Sequence, residues 1–113
     1  MAAPFQELSN LDRTIHEPAR LAILTALSAC RSADFVYLQR LTGQTQGNLS
    51  QHLAKLEAAE LIVMEKTFVR KMPRTEVRLT REGRRAIDRH WRCLEQMRRS
   101  VAQWSLQART AEE

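Results

Sequence analysis

Apolar residues recur along this chain first at helical spacing and then, beyond residue 60, at every second position; the change of period marks a passage from helices to strands. Residues 5–11 put Phe5, Leu8 and Leu11 on one face of a short helix. Pro18 suits the opening turn of a helix, and Ile23, Leu24, Leu27 and Cys30 form the stripe that a helix from Ala19 to Cys30 would bury. Asp34 offers an N-cap to a third helix, which holds the apolar-periodic Val36, Leu38 and Leu41 and stops at Gly43, a residue suited to a left-handed C-cap. Thr45 predicts the N-cap of a fourth helix, where Leu49, Leu53 and Leu56 fall at i, i+4 and i+7. The far side of that helix holds Gly47, Asn48, Gln51 and Lys55, with Gln44 and Gln46 just before it and no carboxylate until Glu57.

Past it, Ile62, Met64 and Phe68 (with Lys66 between) alternate with outward residues, and Thr75, Val77 and Leu79 do the same on the return. Between the two runs, Val69-Arg70-Lys71-Met72-Pro73-Arg74 reads as a cationic turn whose proline cannot join a central ladder. Thr80 then caps a long helix running to about Arg109. In it Ile87, His90, Leu94, Met97, Val101, Trp104 and Ala108 are separated by alternating steps of three and four, the signature of a helix seam. Such a helix outruns a small core, so its seam either pairs with a second copy or folds back on its own domain; the length of the pattern favours self-association, with Phe5, Leu8 and Leu11 packing on the same seam. The expected fold is mainly α with a small β-hairpin wing, a winged helix-turn-helix with a long C-terminal dimerisation helix.

A length of 113 residues implies one domain. The net charge of +5 is unevenly spread. Residues 1–35 sum to −1 and residues 36–60 to zero, whereas 61–79 hold five basic against two acidic residues and 80–113 eight against five. The excess lies downstream of the amide-faced helix, as expected if later elements grip phosphates, or else it is a solvated arginine-rich surface. No apolar run approaches a membrane span and no export signal is visible, so a cytoplasmic protein with no membrane partner is expected. Cys30 and Cys93, far apart and without a CxxC pair, fit a reducing compartment.

A helix buried on one side and offering Asn and Gln on the other suits the DNA major groove, where amides pair bidentately with adenine. The residues DFVYLQRLTGQTQGNLSQHLAKLEAAELI and EKTFVRKMPRTEVRLTREGRRAI carry a resemblance to the compact winged-helix transcriptional regulators of the MarR/ArsR superfamily. More narrowly, the chain resembles the stand-alone winged-helix DNA-binding domain proteins of bacteria and archaea, over roughly residues 15–95. The resemblance implies a homodimeric regulator of double-stranded DNA, more often a repressor, with the reading helix in the major groove and the wing against backbone or minor groove. Two departures stand out. Glu60 occupies a position where the family usually has glycine, so the turn after the reading helix is expected to be shaped differently. The cysteine pair of ArsR-type metal sensors is absent from the reading helix.

The candidate DNA-contacting set is Gln44, Thr45, Gln46, Gly47, Asn48, Ser50, Gln51, His52, Lys55, Arg70, Lys71 and Arg74. Within it Thr45 is expected to cap, Asn48 and Gln51 to reach base edges, and Ser50, His52 and Lys55 to meet phosphates from the flanks. Gly47 costs helix stability, which points either to a close backbone approach or to a tolerated surface glycine. Arg70, Lys71 and Arg74 are expected at the hairpin tip. The candidate dimer interface is Phe5, Leu8, Leu11, Ile87, Leu94, Met97, Val101 and Trp104. The expected division is an N-terminal helical arm over 1–14, a winged helix-turn-helix DNA-binding domain over 15–80 and a dimerisation helix over 81–113.

His90 and Cys93, at i and i+3, could contribute half a metal site, but two ligands do not make one, so no metal or other cofactor is expected. Cys30 is expected in the core. With no glycine-rich phosphate loop, no HExxH and no Ser/His/Asp grouping, the chain is not expected to be an enzyme. The functional expectation is therefore a sequence-specific regulator on a pseudo-palindromic operator. A protein–protein interaction module is the alternative from another class. A ligand- or redox-responsive DNA-binding sensor, with Trp91 and Trp104 lining a small-molecule pocket, is the third.

Overall fold

A computed structural model describes residue 6 and residues 9–112 of the chain. The expected helix at 5–11 falls largely outside them, Phe5 and Leu8 included. The elements are α1 (Pro18–Ser28), β1 (Ala33–Asp34), α2 (Phe35–Thr42), α3 (Gln46–Ala58), β2 (Ile62–Val69), β3 (Met72–Leu79) and α4 (Arg81–Glu112). From Pro18 onward, three helices precede a hairpin and a fourth, long helix follows it, which is the winged-helix plan.

The helix boundaries are set by short-range chemistry. Glu17 caps α1 by accepting from the Arg20 N–H, Asp34 caps α2 through Tyr37, and Thr45 caps α3 through Asn48. At the end of α2, Gly43 takes the left-handed conformation (φ 65°) and donates its N–H to Gln39 O at 2.9 Å. The end of α3 is a Schellman closure, with Leu61 N bonded to Leu56 O and Glu60 N to Glu57 O at 3.0 and 2.9 Å. Its left-handed residue is Glu60 (φ 62°). The turn thus keeps the backbone form that glycine would give, at the steric cost of a Cβ.

Ile23, Leu24, Leu27, Leu38, Leu49, Leu53, Leu56, Ile62, Val77 and Ile87 are the fully buried centre of a single core. Three expectations fail against it, and the apolar series of α2 is buried only in part. Cys30 is exposed because α1 stops at Ser28, before its stripe reaches that residue. Of the α2 stripe only Leu38 is buried, while Val36 and Leu41 face outward from a helix of only two turns. Phe68 lies 74% exposed, because the hairpin carries it beyond the end of the core. Ile87 is 0% exposed and His90 is buried as well, so the first turns of the heptad series serve the domain's own interior and Ile87 cannot meet a second copy.

The sheet order is β1-β3-β2, with both pairings antiparallel. The two-residue β1 covers β3 only at Ala33↔Val77 and Asp34↔Glu76, while the hairpin pairing runs out to Phe68↔Pro73 and Val69↔Met72. Pro73 is therefore in a ladder, but where β3 has a neighbour on one side only. The turn is tighter than the sequence suggests. It is Arg70-Lys71 alone, both at positive φ (52° and 65°), the arrangement of a type I′ hairpin that ordinarily selects Asn-Gly.

Thr80 accepts from Gly83 N at 2.8 Å to cap α4, and donates to Glu60 O at 2.7 Å. Trp91 Nε1 donates to Thr25 Oγ1, and Arg84 to Ser28 O, fastening the beginning of α4 along α1. At about 1.5 Å per residue the 32 residues of α4 outrun the domain, and the molecule measures 70 × 26 × 21 Å. Past His90 no described residue of α4 is buried; Leu94 and Met97 are half-buried, and Val101 and Trp104 are exposed.

Candidate nucleic-acid interface

The short α2, its glycine stop and the Thr45 cap aim α3 across the domain. Leu49, Leu53 and Leu56 anchor one side of α3 in the core, and the opposite side stands free. Gln46, Gly47, Asn48, Ser50, Gln51 and Lys55 are exposed together with the capping Thr45. A Cβ built on Gly47 meets nothing within 4 Å, so nothing in the chain's own packing calls for glycine there.

Two members of the expected reading set turn inward. Gln44, in the turn before the helix, is half-buried. His52 is half-buried too, its Nδ1 3.5 Å from Glu17 Oε2, so it ties α3 to α1 rather than standing on an open flank. Burial acts to raise the Glu17 carboxyl, but N–H donation by Arg20 and Ala19 and the charges of His52 and Arg20 outweigh it and hold the group below its ordinary value.

On the hairpin, Arg70 and Lys71 form the exposed tip. Arg74 does not belong to the tip. It lies within β3 opposite Thr67, and its Nε is 3.7 Å from Asp34 Oδ2. Between the hairpin and α3 runs a cleft of about 550 Å³, bounded by Asp34, Val36, Gln46, Ser50, Met72 and Arg74. Sequence reasoning missed this cleft because it depends on β1 and β3 meeting, and a two-residue strand has no readable period.

The remaining candidates separate as follows. His90 is bonded to His16 across 3.1 Å (Nδ1 of His16, Nε2 of His90), while Cys93 is exposed. Among the described residues no group of three or more His, Cys, Asp or Glu side chains could hold a metal ion. Trp91 lines an apolar trough of about 590 Å³ with Leu21, Thr25, Tyr37 and Leu41; Trp104 does not reach it. Among the described residues no helix is long and apolar enough to cross a membrane.

An amide-faced helix flanked by a cationic hairpin on a three-helix core defines a winged helix-turn-helix. The family model for the winged helix DNA-binding domain matches residues 19–97. A protein of uncharacterized function from Methanocaldococcus jannaschii is 32% identical over 68 residues, which is 60% of this chain and 74% of that protein. A transcriptional regulator homologue from Pyrococcus horikoshii has the same fold, with a TM-score of 0.78 and 28% identity over 85% of this chain and 97% of its own. A MarR-family transcriptional regulator from Silicibacter pomeroyi superposes with a TM-score of 0.60 at 25% identity, over 96% of this chain and 77% of its own. The chain belongs to the winged helix DNA-binding domain family. Family and fold are those of DNA-binding transcriptional regulators of the MarR kind rather than of enzymes.

Proposed function

We propose that the protein is a sequence-specific regulator that binds double-stranded DNA as a cytoplasmic homodimer and represses by occupying promoter DNA. The observation that carries this reading is the exposed amide side of α3, clear of the core and sharing a cleft with the hairpin. In this reading Asn48 and Gln51 reach base edges, Gln46, Ser50 and Lys55 flank them, and Arg70 and Lys71 engage phosphates or the minor groove. Thr45 serves as the cap and Gly47 admits the DNA backbone. Gln44 and His52 act from behind, setting the pose of α3.

The dimer forms through the part of α4 that its own domain leaves uncovered, Leu94, Met97, Val101 and Trp104, with Leu11 alongside. Residues 15–80, together with the buried first turns of α4, make the DNA-binding unit. Two such units on a dyad place their reading helices about 34–36 Å apart, on a pseudo-palindromic operator.

A titration of the purified protein against generic duplex DNA at several salt concentrations tests the reading. Affinity should fall steeply with salt, by about 0.9 in logarithmic slope per phosphate neutralised. A protein–protein interaction module would show no duplex binding at any salt.

A further inference from the structure

We infer that Asp34 holds Arg74 within the cleft between α3 and the hairpin until a DNA phosphate displaces it. The inference rests on the DNA-binding reading above, in which a sugar–phosphate strand passes through that cleft. If α3 enters one groove and the Arg70-Lys71 tip reaches the next, the intervening strand must pass between them. The cleft is the space available there.

Its lining has the mixed character of such a strand. Gln46 and Ser50 present an amide and a hydroxyl from the first turns of α3, and Arg74 presents a guanidinium from β3. Phosphate oxygens accept from all three kinds of group. Val36 and Met72, 55% and 68% exposed, give the cleft apolar walls that the core does not use, and the deoxyribose ring offers a matching apolar surface.

Asp34 is the one acid among the lining residues, and the placement of its oxygens explains how it can share the cleft with a phosphate. Oδ1 accepts from the Tyr37 N–H at 2.7 Å and caps α2, while Oδ2 lies 3.7 Å from Arg74 Nε. The two tasks use different atoms, so the ion pair can part while the helix stays capped. That pair is long and partly open to water, with 44% of the Arg74 side chain exposed, and exposed pairs of this kind are weak. A phosphate in hydrogen-bond contact offers the guanidinium a stronger, charge-assisted partner. The Asp34 carboxylate then faces a phosphate, and that repulsion lowers affinity for every sequence. The penalty is common to operator and generic DNA, so Asp34 sets overall affinity and leaves the ratio between the two unchanged.

The test compares Asp34→Asn, Arg74→Gln and the double variant in salt titrations on a generic duplex and on a selected operator. Asparagine caps helices as well as aspartate does, so the melting temperature should hold and report an intact fold. Asp88→Asn, an equal charge change on α4 outside the cleft, is the control. Asp34→Asn should bind generic DNA several-fold tighter than Asp88→Asn and steepen the salt slope by up to about 0.9. It should raise operator affinity by a similar factor, and Arg74→Gln should remove the share of the gain that the freed guanidinium supplies. The inference is overturned if Asp34→Asn behaves as Asp88→Asn does, or if its gain is undiminished without Arg74. Loss of all duplex binding in the wild-type protein would instead overturn the functional reading and this inference with it.

Discussion

A Cβ on Gly83 would stand 1.9 Å from the carbonyl oxygen of Leu61. The first turn of α4 therefore rests directly on the backbone that leaves α3, and the Thr80 bonds to Glu60 O and from Gly83 N lock the same junction. This contact fixes the long helix relative to the reading helix. Since the obstacle is backbone rather than a movable side chain, Gly83→Ala should destabilise the protein by roughly 2–3 kcal/mol through overpacking. Chemical denaturation measures it; a variant as stable as the wild type would mean that α4 does not sit against Leu61.

Gly47 has no such constraint, and alanine there should stabilise α3 by about 1 kcal/mol through helix propensity alone. If the DNA backbone approaches α3 at this point, the same variant binds duplex more weakly. Higher melting temperature with lower affinity is the expected pair of results. Unchanged affinity would make Gly47 a surface residue of no consequence for binding.

The tip of the hairpin trades stability for charge. Left-handed backbone costs an L-residue roughly 1–2 kcal/mol, and the turn places Arg70 and Lys71 there in succession. Replacing the pair with Asn-Gly (Arg70→Asn, Lys71→Gly) should raise the unfolding free energy, weaken binding to all duplexes alike and flatten the salt slope by up to about 0.9 for each cation removed. A more stable protein with wild-type binding at every salt concentration would show that the tip does not touch DNA.

Stability should also depend on pH through His90. Burial, and after it the charge of His16, lower the His90 imidazole from its usual value near 6.5, while Asp12 pulls the other way. The unfolded chain therefore binds the proton more readily than the folded one. The stability that neutral His90 contributes is complete above about 6.5 and is lost as pH falls through the depressed folded value. The wild type should lose more melting temperature than His90→Gln between neutral and mildly acidic buffer. Parallel losses would remove His90 as the cause.

Much of the fold was legible because it depends on local chemistry. Asp34, Gly43, Thr45 and Thr80 each cap or stop a helix within four residues of themselves, and the leucines of α3 announce its buried side. The start of the α4 seam misled because periodicity shows that a face is apolar without showing what covers it: Ile87 and His90 are covered by their own domain, Leu94 and Met97 only in part, and Val101 and Trp104 stand exposed. Arg74 was misplaced for a related reason. Its sequence neighbours are basic turn residues, but the two-residue contact of β1 with β3 draws it toward Asp34. The inward turn of His52 likewise depends on Glu17, thirty-five positions away, which no local pattern encodes.

Binding-site selection with the wild-type protein and with Gln51→Ala tests the account most directly, since it asks whether the free side of α3 reads bases. The wild type should enrich an inverted repeat with half-sites one helical turn apart, and Gln51→Ala should lose its preference at one base pair in each half-site. A wild-type pool without enrichment, or an identical profile from both proteins, would contradict the assignment of α3 as the reading helix.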